Sequence, residues 1–439
     1  MSFPLISTKR YDYRQSAFAT KPYEPFRSPF LTDYDRIIFS NPFRRLSKKT
    51  QVHPLAKNDH VHNRLTHSLE VASVGRTLGL GVGHYLKIHG LLDPYNPYDV
   101  AAIVQSACLA HDIGNPPFGH AGEEIIKEWF AAHAKDEVLT KALTPKQLED
   151  FLSFDGNAQS FRIVSQLENH AYNGGMCLTM TTLATMIKYP WAAYDERSKR
   201  QKFNFFQSEE KIAQRLFEEF GLLDEGVALR HPFSYLMEAA DDICYALLDI
   251  KDAVELKMLT AEQLSYIFKP LCGDEFQRTM NEAQMDDYEK ISRLCAIAIG
   301  NLTNHALDVY LQHHLYIPQK GVKDLISLFG NREYQEALAA AKKLGHDYIF
   351  NEPRKIELEM GAYNTLGIVL DSLIQAAYEL HEGKGLSFKS GHALKLLGSW
   401  GPTKEQSLYE KYQSVLDYIV GMTDNYATRL AGQLSGMGR

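Results

Sequence analysis

Three short stretches of the chain carry side chains able to ligate a divalent cation. His67 lies in RLTHSLEVA. His111 and Asp112 are adjacent in CLAHDIGNPPFGHAGE, and Asp241 lies in YLMEAADDICYALLD. Imidazole nitrogens and carboxylate oxygens suit a borderline or hard ion such as Mn²⁺, Mg²⁺, Fe²⁺ or Zn²⁺. A lone His–Asp dipeptide is common by chance and reads as a hydrogen-bonded pair that serves only structure. Here it is followed by a glycine, two prolines, another glycine and a second histidine. A histidine helix precedes it and an acidic helix follows. The order His, then His–Asp, then Asp favours metal chemistry.

The elements that must position these residues are helices. Helical periodicity covers Leu65–Leu86, Asp99–His111, Glu123–Ala134, Phe233–Leu256, Asp286–Tyr310, Arg332–Leu344, Ile356–Leu380 and Glu405–Leu430. The apolar run AAIVQSACLA should be buried, which leaves His111 and Asp112 at the end of a core helix that Gly114, Pro116 and Pro117 stop at once. A buried His–Asp pair is costly unless something satisfies it, and a metal ion does so directly. Strand-like alternation is scarce, with short candidates at Thr50–His53 and Gly385–Phe388. The fold class expected is all-α: an irregular N-terminal arm over 1–35, a helical core over 36–260 and a helical C-terminal region over 261–439 packed on that core.

Of the 439 residues, 45% are hydrophobic and 23% charged, an ordinary globular composition with ample material for a large core. The formal net charge of −7 weighs against a protein that coats nucleic acid. Five cysteines without a CxxC pair argue against a disulfide framework or a thiolate zinc site and fit a reducing cytosol. The N-terminus has no apolar signal-peptide core, and no run of about 18 apolar residues suggests a membrane span. A cytoplasmic location is expected.

The blocks NDHVHNRLTHSLEVA, AHDIGNPPFGHAGE, DGNAQSFRI, MIKYPW and YLMEAADDICYALLD together resemble the HD-domain superfamily and, within it, the dNTP triphosphohydrolase (dGTPase) family. FRRLSKKTQV extends the likeness upstream, and GMTDNYA resembles a family element near the C-terminus. The resemblance implies metal ligands His67, His111, Asp112 and Asp241, holding Mg²⁺ or Mn²⁺ foremost, with Fe²⁺, Zn²⁺ or Ni²⁺ as alternatives. It favours Asp241 over Asp242 because Asp241, Tyr245 and Asp249 share one helix face at the family's spacing of ligand and two sugar contacts. Asp242 falls about 100° around the helix.

Hydrolysis at the α-phosphorus needs an activated water and protonation of the departing 5′ oxygen. His120, after the PPFG turn, fits the general acid, and Glu123 three residues on can orient it. The resemblance gives both residues this role. Their plainer reading is a surface imidazole and a first-turn acid near a helix dipole. Asn115, where some relatives carry histidine, is expected to give polar support. A triphosphate needs cations, for which Arg64, Lys188 and Lys202 are candidates. Gln51, Val52, Tyr189, Tyr245 and Asp249 are candidates for sugar and base contacts, with Tyr245 excluding a 2′-hydroxyl. His53, His60, His62 and His84 have no spacing that ties them to the metal and read as polar or core histidines.

The function expected is hydrolysis of dNTPs, with dGTP as first choice, to deoxynucleoside and inorganic triphosphate. The alternatives are another HD phosphohydrolase, such as a nucleotidase or alarmone hydrolase, or a non-catalytic nucleotide sensor or single-stranded nucleic-acid-binding protein. A homo-oligomer, a hexamer by resemblance, is expected, and a regulatory nucleotide or single-stranded nucleic acid is a further candidate partner.

Overall fold

The computed structural model describes residues 4–12, 17–19, 27–51, 61–134, 138–168, 175–199, 201–350 and 352–437. The fold is all-α. Its helices are α1 (Pro29–Ile38), α2 (Asn41–Arg45), α3 (Arg64–Ile88), α4 (Pro97–Ala110), α5 (His120–Ala134), α6 (Pro145–Leu152), α7 (Gly156–Arg162), α8 (Met180–Thr185) and α9 (Glu210–Glu219). They continue as α10 (Ser234–Glu255), α11 (Ser265–Cys272), α12 (Asp274–Met280), α13 (Asp287–Gln312), α14 (Arg332–Leu344), α15 (Pro353–Glu382), α16 (Phe388–Leu397), α17 (Leu408–Val420) and α18 (Asp424–Leu434). Two small antiparallel hairpins pair β1 (Arg10–Asp12) with β2 (Ala17–Ala19) and β3 (Leu223–Asp224) with β4 (Val227–Ala228). No described helix is long and apolar enough to cross a membrane. The five cysteines are unpaired thiols.

The core of the site-bearing half is the α3–α4 pair. α4 is buried along nearly its whole circumference, as its unbroken apolar run requires. α3 meets it through Gly75, Gly79 and Gly83, one turn apart on a single face. A Cβ on Gly79 would stand 2.9 Å from both the Ala101 Cα and the Val100 carbonyl oxygen, and one on Gly83 would stand 2.7 Å from the Pro97 Cα. These glycines let the two backbones touch. α10 packs across α3 and α4 and also meets α13 and α14, while α15 lies against α5, α16, α17 and α18.

Buried polar links join the C-terminal helices to the rest. Arg162 forks onto both carboxylate oxygens of Asp417 at 2.8–2.9 Å and reaches Glu209 at 2.6 Å. Trp129 donates its indole N–H to Asp371 at 2.7 Å, tying α5 to α15.

Three expectations from the sequence change. The N-terminal stretch is not wholly irregular: β1 and β2 pair, and α1 starts at Pro29, where Ser28 caps the first turn and proline occupies a position needing no N–H. Arg10 is buried against Asp33 at 2.5 Å, which also accepts from Thr179 and Thr182. The helix expected over Glu405–Leu430 is two helices, because the Thr423 side chain accepts the Tyr426 N–H and restarts the chain as α18. Apolar spacing continues through that break, so periodicity alone passes over it. Gly385–Phe388 is not a strand; Ser387 caps α16 there. At the other strand candidate, Thr50 forms one isolated bridge with Asn63, and Val52 and His53 lie outside the described residues.

Candidate metal centre and active site

The Asn63 side chain accepts the Leu65 and Thr66 N–H groups, and Thr66 returns a bond to the Asn63 N–H. This capping box starts α3 at Arg64 and places Arg64 and His67 on one face of its first turn. His111 closes α4. Its Nδ1 lies 2.6 Å from the Cys108 carbonyl oxygen, so Nδ1–H donates there and Nε2 is left facing the interior. Gly114 then turns the chain under α7, where a Cβ would meet the Ser160 nitrogen at 2.1 Å.

His67, His111 and Asp112 bring one ligand atom each within 4.8 Å of one another. Asp241, from the middle of α10, joins them: its Oδ1 is 3.2 Å from His67 Nε2 and 3.5 Å from His111 Nε2. The outer oxygens are held by cations. Arg64 donates to Asp112 Oδ2 at 2.5 Å and Lys188 to Asp241 Oδ2 at 2.7 Å, while Asn115 donates to Asp112 Oδ1 at 2.6 Å. Burial would raise the Asp112 and Asp241 carboxyls. His111 with Arg64 at the first, and Lys188 with His111 at the second, outweigh burial and hold both well below the usual carboxylate range. Two imidazole nitrogens and two ionised carboxylates around one point form a donor set that fits a divalent cation. Asp242 turns away and pairs with Lys342 at 2.6 Å.

The acid–base candidates lie at the next turn. His120 is 73% exposed by side chain, and its Nδ1 is 3.1 Å from Oε2 of the buried Glu123. Glu123 Oε1 accepts the Gly156 N–H at 2.7 Å, and Lys202 stands 3.8 Å from Oε2. Burial would raise this carboxyl, but His120, Lys202 and Gly156 bring it down to about 2. Lys202 is also 3.5 Å from Asp155 Oδ2, a fully buried oxygen with no hydrogen-bond partner among the described residues. Gly156 marks how close the two groups stand. A Cβ there would be 2.7 Å from Asn115 Oδ1 and 2.8 Å from Glu123 Oε1. Since Asn115 bonds Asp112, the acid–base pair and the ligand cluster share one wall.

The turn that carries His120 is held from the far end of the chain. Phe118 and Gly119 take positive φ values of 64° and 59°. Asp424, the N1 residue of α18, accepts the Phe118 N–H at 3.0 Å through one oxygen and the Thr50 N–H at 2.9 Å through the other. Lys49 is buried between them, donating at 2.6 Å to the carbonyl oxygens of Asn115 and Val420, and burial pushes its ammonium down to about 7.

The remaining candidates divide. Tyr245 and Asp249 follow Asp241 on the same face of α10, and burial pushes both groups up. Asp249 Oδ2 and Gln51 Oε1 are buried with no hydrogen-bond partner among the described residues. Lys188 is buried rather than solvated, and the Tyr189 ring lies against Trp191. Val52 and His60 lie outside the described residues. His84 is exposed.

An HD-domain family model matches residues 64–164, the span from α3 through α7 that holds Arg64, His67, His111, Asp112, His120 and Glu123. A deoxyguanosinetriphosphate triphosphohydrolase-like protein of Pseudomonas aeruginosa is 43% identical over 93% of this chain and 94% of its own length. The chain belongs to the deoxyguanosinetriphosphate triphosphohydrolase family. A Synechocystis protein named in the same way is 34% identical over 99% of this chain and 98% of its own. A Yersinia enterocolitica deoxyguanosinetriphosphate triphosphohydrolase is 30% identical over 91% and 92% respectively. As a member of this family the protein is an HD-domain hydrolase, and its His67, His111 and Asp112 form a group that could hold a metal ion.

Sequence reasoning passed over Asp155, Gly156, Lys49 and Asp424 as individuals. DGNAQSFRI and GMTDNYA contain three of them, and each begins a helix with a capping signal that could have drawn notice. Lys49 lies in FRRLSKKTQV, but no capping or spacing signal singles it out there.

Proposed function

We propose that the protein hydrolyses deoxynucleoside triphosphates, dGTP foremost, at the α-phosphorus to give deoxynucleoside and inorganic triphosphate. The observation that carries this reading is the shared wall at Gly156, where a Cβ would stand 2.7 Å from Asn115 Oδ1 of the ligand cluster and 2.8 Å from Glu123 Oε1 of the acid–base pair. A phosphorus bound beside the cluster would lie next to a proton donor.

His67, His111, Asp112 and Asp241 would hold the metal, Mg²⁺ or Mn²⁺ by the hardness of its oxygen donors. When bound, such an ion polarises phosphoryl oxygens and lowers the pKa of water. The protein's own groups supply the rest. Glu123, kept ionised, accepts from His120 Nδ1–H and orients the ring. Nε2 is then free to deliver a proton to the departing 5′ oxygen, a contribution of about 10²–10⁴-fold. Arg64, Lys188 and Lys202 sit on carboxylates that a triphosphate can compete with, so they can pass to its oxygens. Tyr245 and Asp249 face the sugar from α10, with the tyrosine ring occupying the room a 2′-hydroxyl needs. Gln51, Val52 and Tyr189 complete the sugar and base contacts. In this reading the catalytic core spans residues 36–260, residues 261–439 brace it through Asp424, and the chain works as a homo-oligomer.

The test is product analysis. Each of the four dNTPs and GTP is incubated with the protein and Mg²⁺ or Mn²⁺, with and without the other nucleotides, and the products are separated by ion exchange. Deoxynucleoside with intact triphosphate is the expected outcome. Mono- or diphosphate products would assign the site to nucleotidase chemistry instead.

A further inference from the structure

His62 lies just before α3, outside the ligand cluster, and both of its ring nitrogens face carboxylates. Nδ1 is 2.6 Å from Asp252 Oδ1 on α10 and Nε2 is 3.0 Å from Glu70 Oε1 on α3. Its backbone N–H donates to the second oxygen of Asp252 at 3.1 Å. An ionised carboxylate only accepts hydrogen bonds, so each ring nitrogen must carry a proton and the ring must be an imidazolium. Burial works against the charge, but Asp252 and Glu70 outweigh it and push His62 up to about 10.

The charge sits beside Asp249. Asp252 follows Asp249 by one turn of α10, and Asp249 Oδ2 is buried with no hydrogen-bond partner among the described residues. After burial, Asp252 is the largest influence raising Asp249, and His62 is the largest opposing it, ahead of Arg64. A buried carboxylate oxygen without a donor, on the helix face of Asp241, is arranged to accept from a ligand. On the proposed function, on which this inference rests, the ligand is a 2′-deoxyribose 5′-triphosphate. Its sugar has a single free hydroxyl, at C3′.

We propose that His62 is a positioning residue for the sugar: its imidazolium pairs with Asp252 and pins α10 to α3, so that the unpartnered oxygen of Asp249 stays aimed at the 3′-hydroxyl of the substrate. The groups facing it are Asp252 and Asp249 on α10 and Glu70 on α3. With His62 neutral or absent, Asp252 would be an uncompensated neighbour of Asp249. With α10 no longer pinned to α3, Asp249 would withdraw from the sugar.

The test compares dGTP with 2′,3′-dideoxy-GTP, which lacks only the 3′-hydroxyl. His62→Asn keeps a donor where Nδ1 stands but removes the charge, and Glu70→Gln weakens the charge from the half-exposed side without touching the core. Both variants should raise KM for dGTP about tenfold, the scale of a hydrogen bond to a charged group, with kcat nearly unchanged and KM for the dideoxynucleotide unmoved. A merely structural role would move both substrates together, and that result would overturn the proposal. A second readout needs no turnover. NMR of ¹⁵N-histidine-labelled wild-type protein should show His62 protonated on both nitrogens at pH 8, and a neutral ring would also overturn it. If wild-type protein cleaves no deoxynucleoside triphosphate, the functional reading fails instead, and the NMR result still reports the charge.

Discussion

Oδ1 of Asp241 stands 3.2 Å from Nε2 of His67, although 174 residues separate them in the chain. Its sequence neighbour Asp242 faces α14 and pairs with Lys342. Asp241→Ala should therefore abolish metal uptake and hydrolysis together, as should His111→Ala. Asp242→Asn should keep both and change stability by less than about 1 kcal/mol, because its ion pair is partly exposed. Metal content by elemental analysis beside turnover checks this. Metal retained in Asp241→Ala would remove that residue from the ligand set.

His120 contacts Glu123 but none of the four ligand candidates. His120→Ala should keep full metal content while kcat falls by about 10²–10⁴-fold. Near-normal turnover in that variant would take His120 out of the mechanism.

Asp424 accepts from Thr50 and Phe118 while nearly fully buried. Asp424→Ala leaves those donors unpaired, at a cost of about 1–3 kcal/mol in unfolding free energy. Because the Phe118 turn carries His120, kcat should fall at least about tenfold with metal content intact. Asp424→Asn, which keeps an acceptor, should recover part of both losses in urea unfolding and turnover assays. An alanine variant with normal kcat would show that the turn holds itself.

Gly79 and Gly300 are both helical, but only Gly79 meets another backbone. Gly79→Ala should destabilise by about 1–3 kcal/mol through overpacking against α4. Gly300→Ala, exposed on α13 with open space around it, should stabilise by about 0.5–1 kcal/mol through a less flexible unfolded chain. Thermal denaturation of the two variants decides the matter, and equal signs would contradict the close α3–α4 approach.

Burial pushes Asp150 up to about 7, against the opposing hydrogen bonds from Tyr409 and Gln207. An acid raised in the folded state binds its proton more tightly folded than unfolded. Its contribution to stability is therefore largest below the unfolded value near 4 and declines as pH rises toward 7. Asp150→Asn removes this term. Relative to wild type, the variant should gain stability between pH 5 and pH 8 in urea unfolding. A pH-independent difference would mean that Asp150 does not titrate in that window.

Much of the site follows from local sequence. The 3.6-residue period sets α3, α4 and α10, and the glycine and prolines after Asp112 end α4 so that His111 and Asp112 project together. The three-residue step from His120 to Glu123 brings imidazole and carboxylate together within one helical turn. The i, i+4, i+8 step puts Asp241, Tyr245 and Asp249 on one face. These are properties of a helix, and short-range spacing is enough to state them.

Tertiary structure alone decides what meets across the chain. It seats Lys202 between Glu123 and Asp155, sends Asp242 to Lys342, closes His62 onto Asp252 and Glu70, and brings Asp424 back over the His120 turn. No helical period links Glu123 with Lys202, Asp242 with Lys342, His62 with Asp252 or Phe118 with Asp424. Their pairing is set by which helices pack together, and in a low-dielectric interior the pairing then determines which carboxylates stay charged.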